Sequence, residues 1–128
     1  MTPIGIIIVS YNTCALLRDC LASLRGCVLP LHTVVVDNGS RDGSVAMVRA
    51  DFSDVLLIES GSNLGFAAAN NLGIATLFND TQNSTLKTQT SKLDHVLLLN
   101  PDTVVHAGAI ETLVAFLVAH PREQPYRD

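Results

Sequence analysis

A three-layer α/β sandwich around a mostly parallel sheet is the fold this sequence predicts. Ile4–Val9, His32–Val36, Val55–Ile58 and Val96–Leu99 are near-continuous aliphatic runs, the pattern of strands buried on both faces. Helical patterns lie between them, and such alternation closes as a parallel sheet with right-handed crossovers. The length, 128 residues, is that of one domain, residues 1–128. A chain of this size buries roughly two-thirds of the surface its unfolded form exposes.

Each element follows in order. Ile4–Val9 is the first strand. Asn12 or Thr13 can cap a helix in which Leu16, Leu17, Cys20, Leu21 and Leu24 share one face, and Gly26 can end it. His32–Val36 carries Asp37 at its carboxyl end. Asp42 to Ala50 is a short helix, with Val45, Val48 and Phe52 at helical spacing and Ser40 or Asp42 as its cap. Val55–Ile58 precedes Phe66–Phe78, a helix rich in alanine and asparagine. Residues 79–92 are polar apart from Leu86 and read as a surface insertion. The N-x-T matches at Asn79 and Asn83 are chance occurrences without a secretory signal. Val96–Leu99 is the fourth strand, and Ile110, Leu113, Val114 and Leu117 mark the last helix. Residues 120–128 are polar, hold two prolines and add no strand.

Composition narrows the function classes. Hydrophobic residues make up 48% and charged residues 16%, as in a globular chain. A net charge of -4 leaves no basic stripe, so no nucleic acid partner is expected. An anionic ligand remains compatible, because backbone amides and a metal can supply the positive field. Cys14, Cys20 and Cys27 form no C-x-x-C pair and read as reduced cytosolic thiols, Cys20 within a core stripe. Ile4–Val9 is too short to span a bilayer, so a soluble, cytoplasmic chain is expected. His32, His95, His106 and His120 lack metal-ligand spacing and are expected on the surface or in turns. Ser10 lacks a G-x-S-x-G setting, and no G-x-G-x-x-G follows the first strand.

Ligands of open α/β sheets sit beyond the carboxyl ends of the strands. That rule selects Ser10-Tyr11-Asn12, Asp37-Asn38-Gly39-Ser40, Gly61 to Gly65, and Asn100-Pro101-Asp102-Thr103. Asp37 is held at a rigid strand tip, where its carboxylate can accept an N–H from a base, a hydroxyl from a ribose, or merely cap a turn. Asp102 can hold a hard divalent cation whose shell substrate oxygens complete, or start a turn. The stretch Asn63 to Gly73 combines small residues with asparagines, which allows close approach to a ligand or simply tight helix packing.

Taken together, these segments resemble family 2 glycosyltransferases of the A-type glycosyltransferase fold, a Rossmann-like sandwich truncated here. The matching residues are Ile7 to Asn12, Val35 to Ser44, Asn63 to Gly73 and Leu98 to Thr103. The wording Gly65-Phe66-Ala67-Ala68-Ala69-Asn70-Asn71 and Asn100-Pro101-Asp102 is most similar to the rhamnosyltransferase-type branch, which builds cell-surface polysaccharides. The resemblance implies that Asp37 reads the imino N–H of uracil or thymine, with Tyr11 near the base. It implies a nucleotide-sugar site made of Ser10, Tyr11, Asn12, Asp37, Asn38, Ser40, Asn63, Gly65, Asn70, Asn71 and Asn100. Asn70 stands where many relatives place an arginine. Asp102, in the D-x-D position with Asn100 replacing the first aspartate, is implied as the protein ligand to Mg2+ or Mn2+.

The implied reaction transfers a rhamnose-like sugar, with inversion, from a UDP- or dTDP-linked donor to a saccharide or lipid-linked acceptor. Relatives supply the general base and acceptor pocket beyond the fourth strand. No catalytic residue is therefore expected within these residues, and no transfer by them alone. The rival reading is a non-catalytic nucleotide-binding remnant or assembly module of the same fold. A signalling receiver domain is a third, disfavoured because Ile4 to Thr13 holds no acidic pair. The last strand's exposed edge could pair chains into a homo-oligomer. Full-length relatives are expected at the inner face of the membrane, as peripheral proteins.

Overall fold

The computed structural model describes residues 3–83 and 93–121. They form β1 (Ile4–Ser10), α1 (Cys14–Leu24), β2 (Leu31–Asp37), α2 (Ser44–Asp51), β3 (Leu56–Glu59), α3 (Phe66–Asn83), β4 (His95–Leu99) and α4 (Ala109–Ala119). The sheet order is β3-β2-β1-β4, with every pair parallel. β1 is central, and all of it but Val9 is buried, which explains its unbroken apolar run. The direction of winding reverses between β1 and β4. This is the switch point at which such sheets open a crevice.

Two cores divide the side chains of β1 by parity. Ile4, Ile6 and Ile8 meet Leu17, Cys20, Leu21 and Leu24 of α1 and Met47 and Val48 of α2. Ile7 and Val9 face the opposite layer with Val34, Val36 and α3's Ala69 and Leu77. Helices on both faces make the predicted three layers. Gly73 lets α3 lie against the sheet, since a Cβ there would sit 2.8 Å from Ile7 Cγ2 and 3.2 Å from Val36 Cγ2.

Four expectations are corrected. α3 runs on to Asn83, past its expected end at Phe78, so residues 79–83 of the anticipated insertion are helical; residues 84–92 lie outside the described residues. The polar sequence after Phe78 carries no apolar period, which hid this extension. In α4 only Ile110 is buried, while Leu113 and Leu117 are exposed and Val114 is partly covered, because only its start meets the core. Leu16 is likewise exposed. His32 and His95 are half-buried in strands rather than in turns.

Candidate functional site

The strand tips are level. Ser10 pairs with Asp37, and Asp37 with Glu59, so three polar side chains end adjacent strands in one row. Asp37 is only 3% exposed. Its Oδ2 accepts the backbone N–H groups of Gly39 (3.2 Å) and Ser40 (2.9 Å). Its Oδ1 is buried and, among the described residues, has no hydrogen-bond partner. Both readings of Asp37 therefore have an oxygen each: one holds the turn, the other is left open. Leaving such an acceptor unpaired costs about 1–3 kcal/mol, which favours any donor that reaches it.

Asp37 lies in an open cleft of about 560 Å3 between the loop after β2 and the loop after β3. Tyr11, half exposed, lines it with Ser40 and Arg41, and Gly61, Ser62 and Asn63 lie opposite. The loops approach closely at Gly39, which has φ +91°; a Cβ there would lie 3.4 Å from the Ser62 Cα. Of the expected site residues, Tyr11, Asp37, Asn38, Ser40 and Asn63 gather here. Arg41, the one basic side chain of this lining, and Glu59 were missed by sequence reasoning. Their signal was position, directly after Ser40 and at the tip of β3. Glu59 is ion-paired with Arg49, which offsets its charge.

Several expected binding residues already have partners within the chain. Asn38 Oδ1 accepts from Leu64 N (3.2 Å) and Ser60 Oγ (3.3 Å), and its Nδ2 donates to Gly65 O (3.4 Å). The one Ser60 hydroxyl hydrogen is shared between Asn38 Oδ1 and the carbonyls of Asp37 (2.9 Å) and Ser62 (2.5 Å), which ties the loop after β3 to the tip of β2. Asn63 Oδ1 takes Gly65 N, which turns the chain into α3. Ser10 is fully buried with its hydroxyl 3.0 Å from that of Thr13. Asn70 is buried and donates to Phe66 O, whereas Asn71 is exposed. Neither belongs to the lining of the Asp37 cleft, nor does Gly65.

The turn after β4 stands across β1 from Asp37, roughly 10 Å away at two strand spacings. Asn100 and Asp102 are exposed, and Thr103 N donates to Asn100 O at 3.1 Å. The Cys20 thiol lies beneath, 3.8 Å from the same carbonyl. Burial, and then the charge of Asp102, push its pKa up to about 11, so this thiol is protonated at neutral pH. No group of three ligating side chains exists among the described residues. A single exposed carboxylate fits a hard cation that arrives with its phosphates, not a protein-caged one.

Doubly wound order, helices on both faces and polar strand tips define an A-type glycosyltransferase fold, and solved structures agree. The chain superposes with TM-score 0.72 on the crystal structure of S. aureus TarS at 19% identity, covering 94% of this chain and 20% of that one. Against TarS 1-349 in complex with UDP, the TM-score is 0.73 at 16% identity, covering 100% and 38%. For a mannosyltransferase, PcManGT from Pyrobaculum calidifontis in complex with GDP-Man and Mn2+, it is 0.65 at 22% identity, covering 95% and 32%.

The glycosyl transferase family 2 model matches residues 5–125, and the chain belongs to that family. It is 30% identical over 118 residues to an N-acetylglucosaminyl-diphospho-decaprenol L-rhamnosyltransferase of Mycobacterium tuberculosis. That match covers 91% of this chain and 38% of the relative, so the chain spans under half the relative's length.

Proposed function

We propose that this chain binds the nucleoside diphosphate sugar donor of a glycosyltransferase, with uracil or thymine as the base. The observation that carries this reading is Asp37, which lines an open cleft and whose buried Oδ1 has no hydrogen-bond partner among the described residues. The imino N–H of either base is a donor of the right kind for it. Cytosine offers an acceptor at that ring position and would meet the carboxylate lone pairs. Tyr11 supplies an aromatic surface beside the base, and the diphosphate extends across β1 towards Asp102.

Asp102 would hold Mg2+ or Mn2+ jointly with the diphosphate. The cation would neutralise charge developing on the departing nucleoside diphosphate. The relative's name supports a rhamnose-like sugar and a polyprenyl-diphosphate-linked acceptor, hence work at the inner membrane face. Among the described residues, no helix is long and apolar enough to cross a membrane. Inversion requires a base to take the acceptor hydroxyl's proton while that oxygen displaces the diphosphate. Asp94 precedes β4 at the opposite end of the sheet, and Glu111 accepts a hydrogen bond from Val28 N. Neither serves as that base.

Calorimetry with UDP and dTDP, with Mn2+ and after EDTA, tests the reading. Binding should need the cation, and Asp37→Asn should weaken it by about 1–3 kcal/mol with little change in melting temperature. Unchanged affinity combined with a large loss of stability would leave Asp37 as a turn cap only.

A further inference from the structure

We propose that Asp42 is a positioning residue for base recognition: it clamps the loop that aims Asp37. The inference rests on the donor-site reading of the cleft. Residues 40–42 run between Gly39 and Gly43, both left-handed, with φ of 91° and 88°. Two such glycines make a segment with little stiffness of its own. Its order comes from the neighbouring loop after β1. Asp42 Oδ2 accepts Cys14 N at 2.9 Å, while Oδ1 accepts Ser44 N (3.1 Å) and Ser44 Oγ (2.5 Å). One carboxylate thus satisfies the first turns of both α1 and α2. Thr13, at the N-cap position of α1, makes no side-chain cap bond, so Asp42 replaces it from a separate loop.

Asn12 completes the clamp. Its N–H donates to Ser40 Oγ (2.9 Å), and its Oδ1 accepts Arg41 N (2.8 Å). Asn12 itself has φ 52°, the one positive-φ residue among the described residues that is not glycine. Asparagine tolerates this region better than most residues, but the conformation still needs the surrounding bonds to hold it. The consequence reaches Asp37 directly. The N–H of Ser40 holds Asp37 Oδ2, and the position of Ser40 is set by Asn12 and Asp42 on either side. With Oδ2 held by the amides of Gly39 and Ser40, the Asp37 carboxylate is fixed in one orientation at the edge of the cleft. The Ser44 hydroxyl and amide keep the Asp42 pKa below the usual carboxylate range, so the clamp is ionised at neutral pH.

The readout is the ratio of UDP to CDP affinity in Mn2+, which reports the aim of Asp37 rather than stability. The wild-type chain should prefer UDP by about tenfold or more, as expected for a hydrogen bond to a charged group. Asp42→Ala should reduce the ratio to within about threefold. Asp42→Asn keeps the shape and one acceptor, and should fall between the two. It also serves if the alanine variant does not fold. Asp51→Asn removes the same charge at the other end of α2, where its partner is Arg18, and should leave the ratio at the wild-type value. If the wild type does not distinguish UDP from CDP, the reading of the cleft itself fails. If the wild type discriminates and folded Asp42→Asn discriminates equally, the positioning role alone is overturned.

Discussion

Replacing Gly73 by alanine separates two effects that normally act together. In an exposed helix the change would stabilise by about 1 kcal/mol, because glycine loses more backbone freedom on folding. At Gly73 the added methyl group would sit 2.8 Å from Ile7 Cγ2, 3.2 Å from Val36 Cγ2 and 3.4 Å from Ile7 Cδ1. Ile7 and Val36 are fully buried and β-branched, on the two central strands, so their rotamers have nowhere to turn. Overpacking of this kind costs about 1–3 kcal/mol. The net expectation is a loss of about 1 kcal/mol, or about 4 °C in melting temperature for a domain of this size. Ala75→Gly, at an exposed position of the same helix, calibrates the propensity term and should itself lose about 1 kcal/mol. Thermal and urea unfolding of both variants provide the comparison. A Gly73→Ala protein that melts above the wild type would show that α3 does not rest on the sheet as closely as described.

Asp102→Asn should weaken UDP binding in Mn2+ by about tenfold or more with little change in melting temperature, measured by calorimetry and thermal unfolding; a loss of stability with affinity unchanged would assign Asp102 to the turn. The Cys20 thiol has its pKa raised from 9.0 to about 11, so its contribution to stability is intact below pH 9 and is lost as pH rises towards 11. Urea unfolding from pH 8 to 11 should show that decline, and Cys20→Ala should reduce it. An equal decline in the variant would place its cause elsewhere.

The strands, their order of succession and the rim were legible because they rest on local signals. A continuous aliphatic run needs burial on both faces, and a polar residue ending such a run has to sit at a tip. Asp37 and Asp102 follow from that rule alone. The partners of the rim side chains were not legible. Asp42 meets Cys14, and Asn12 meets Arg41, across 28 and 29 residues of sequence. Nothing in either local pattern encodes that proximity, which exists only once β1 and β2 pair in register. Hence the bonds that the amide groups of Asn12 and Asn38 make to backbone were not foreseen. The apolar face of α4 failed in another way. Its period is helical, as expected, but Leu113, Phe116 and Leu117 remain exposed because periodicity reports a helix's face and not what covers it.

Residue type at the rim follows from these bonds. Position 38 must donate to the Gly65 carbonyl and accept from Leu64 N at once, which asparagine does and aspartate does not. Aspartate there would also put a second negative charge beside the buried Asp37 carboxylate. Position 42 has the opposite requirement: three donors and nothing to donate to, so an ionised carboxylate is suited and an amide would present a hydrogen to a hydrogen. Asp37 lies between these cases. Two donors reach one of its oxygens, and the other has no partner among the described residues. The neutral asparagines around it are therefore part of its chemistry. They hold the loops without competing for that oxygen, which keeps it as a buried acceptor beside the cleft.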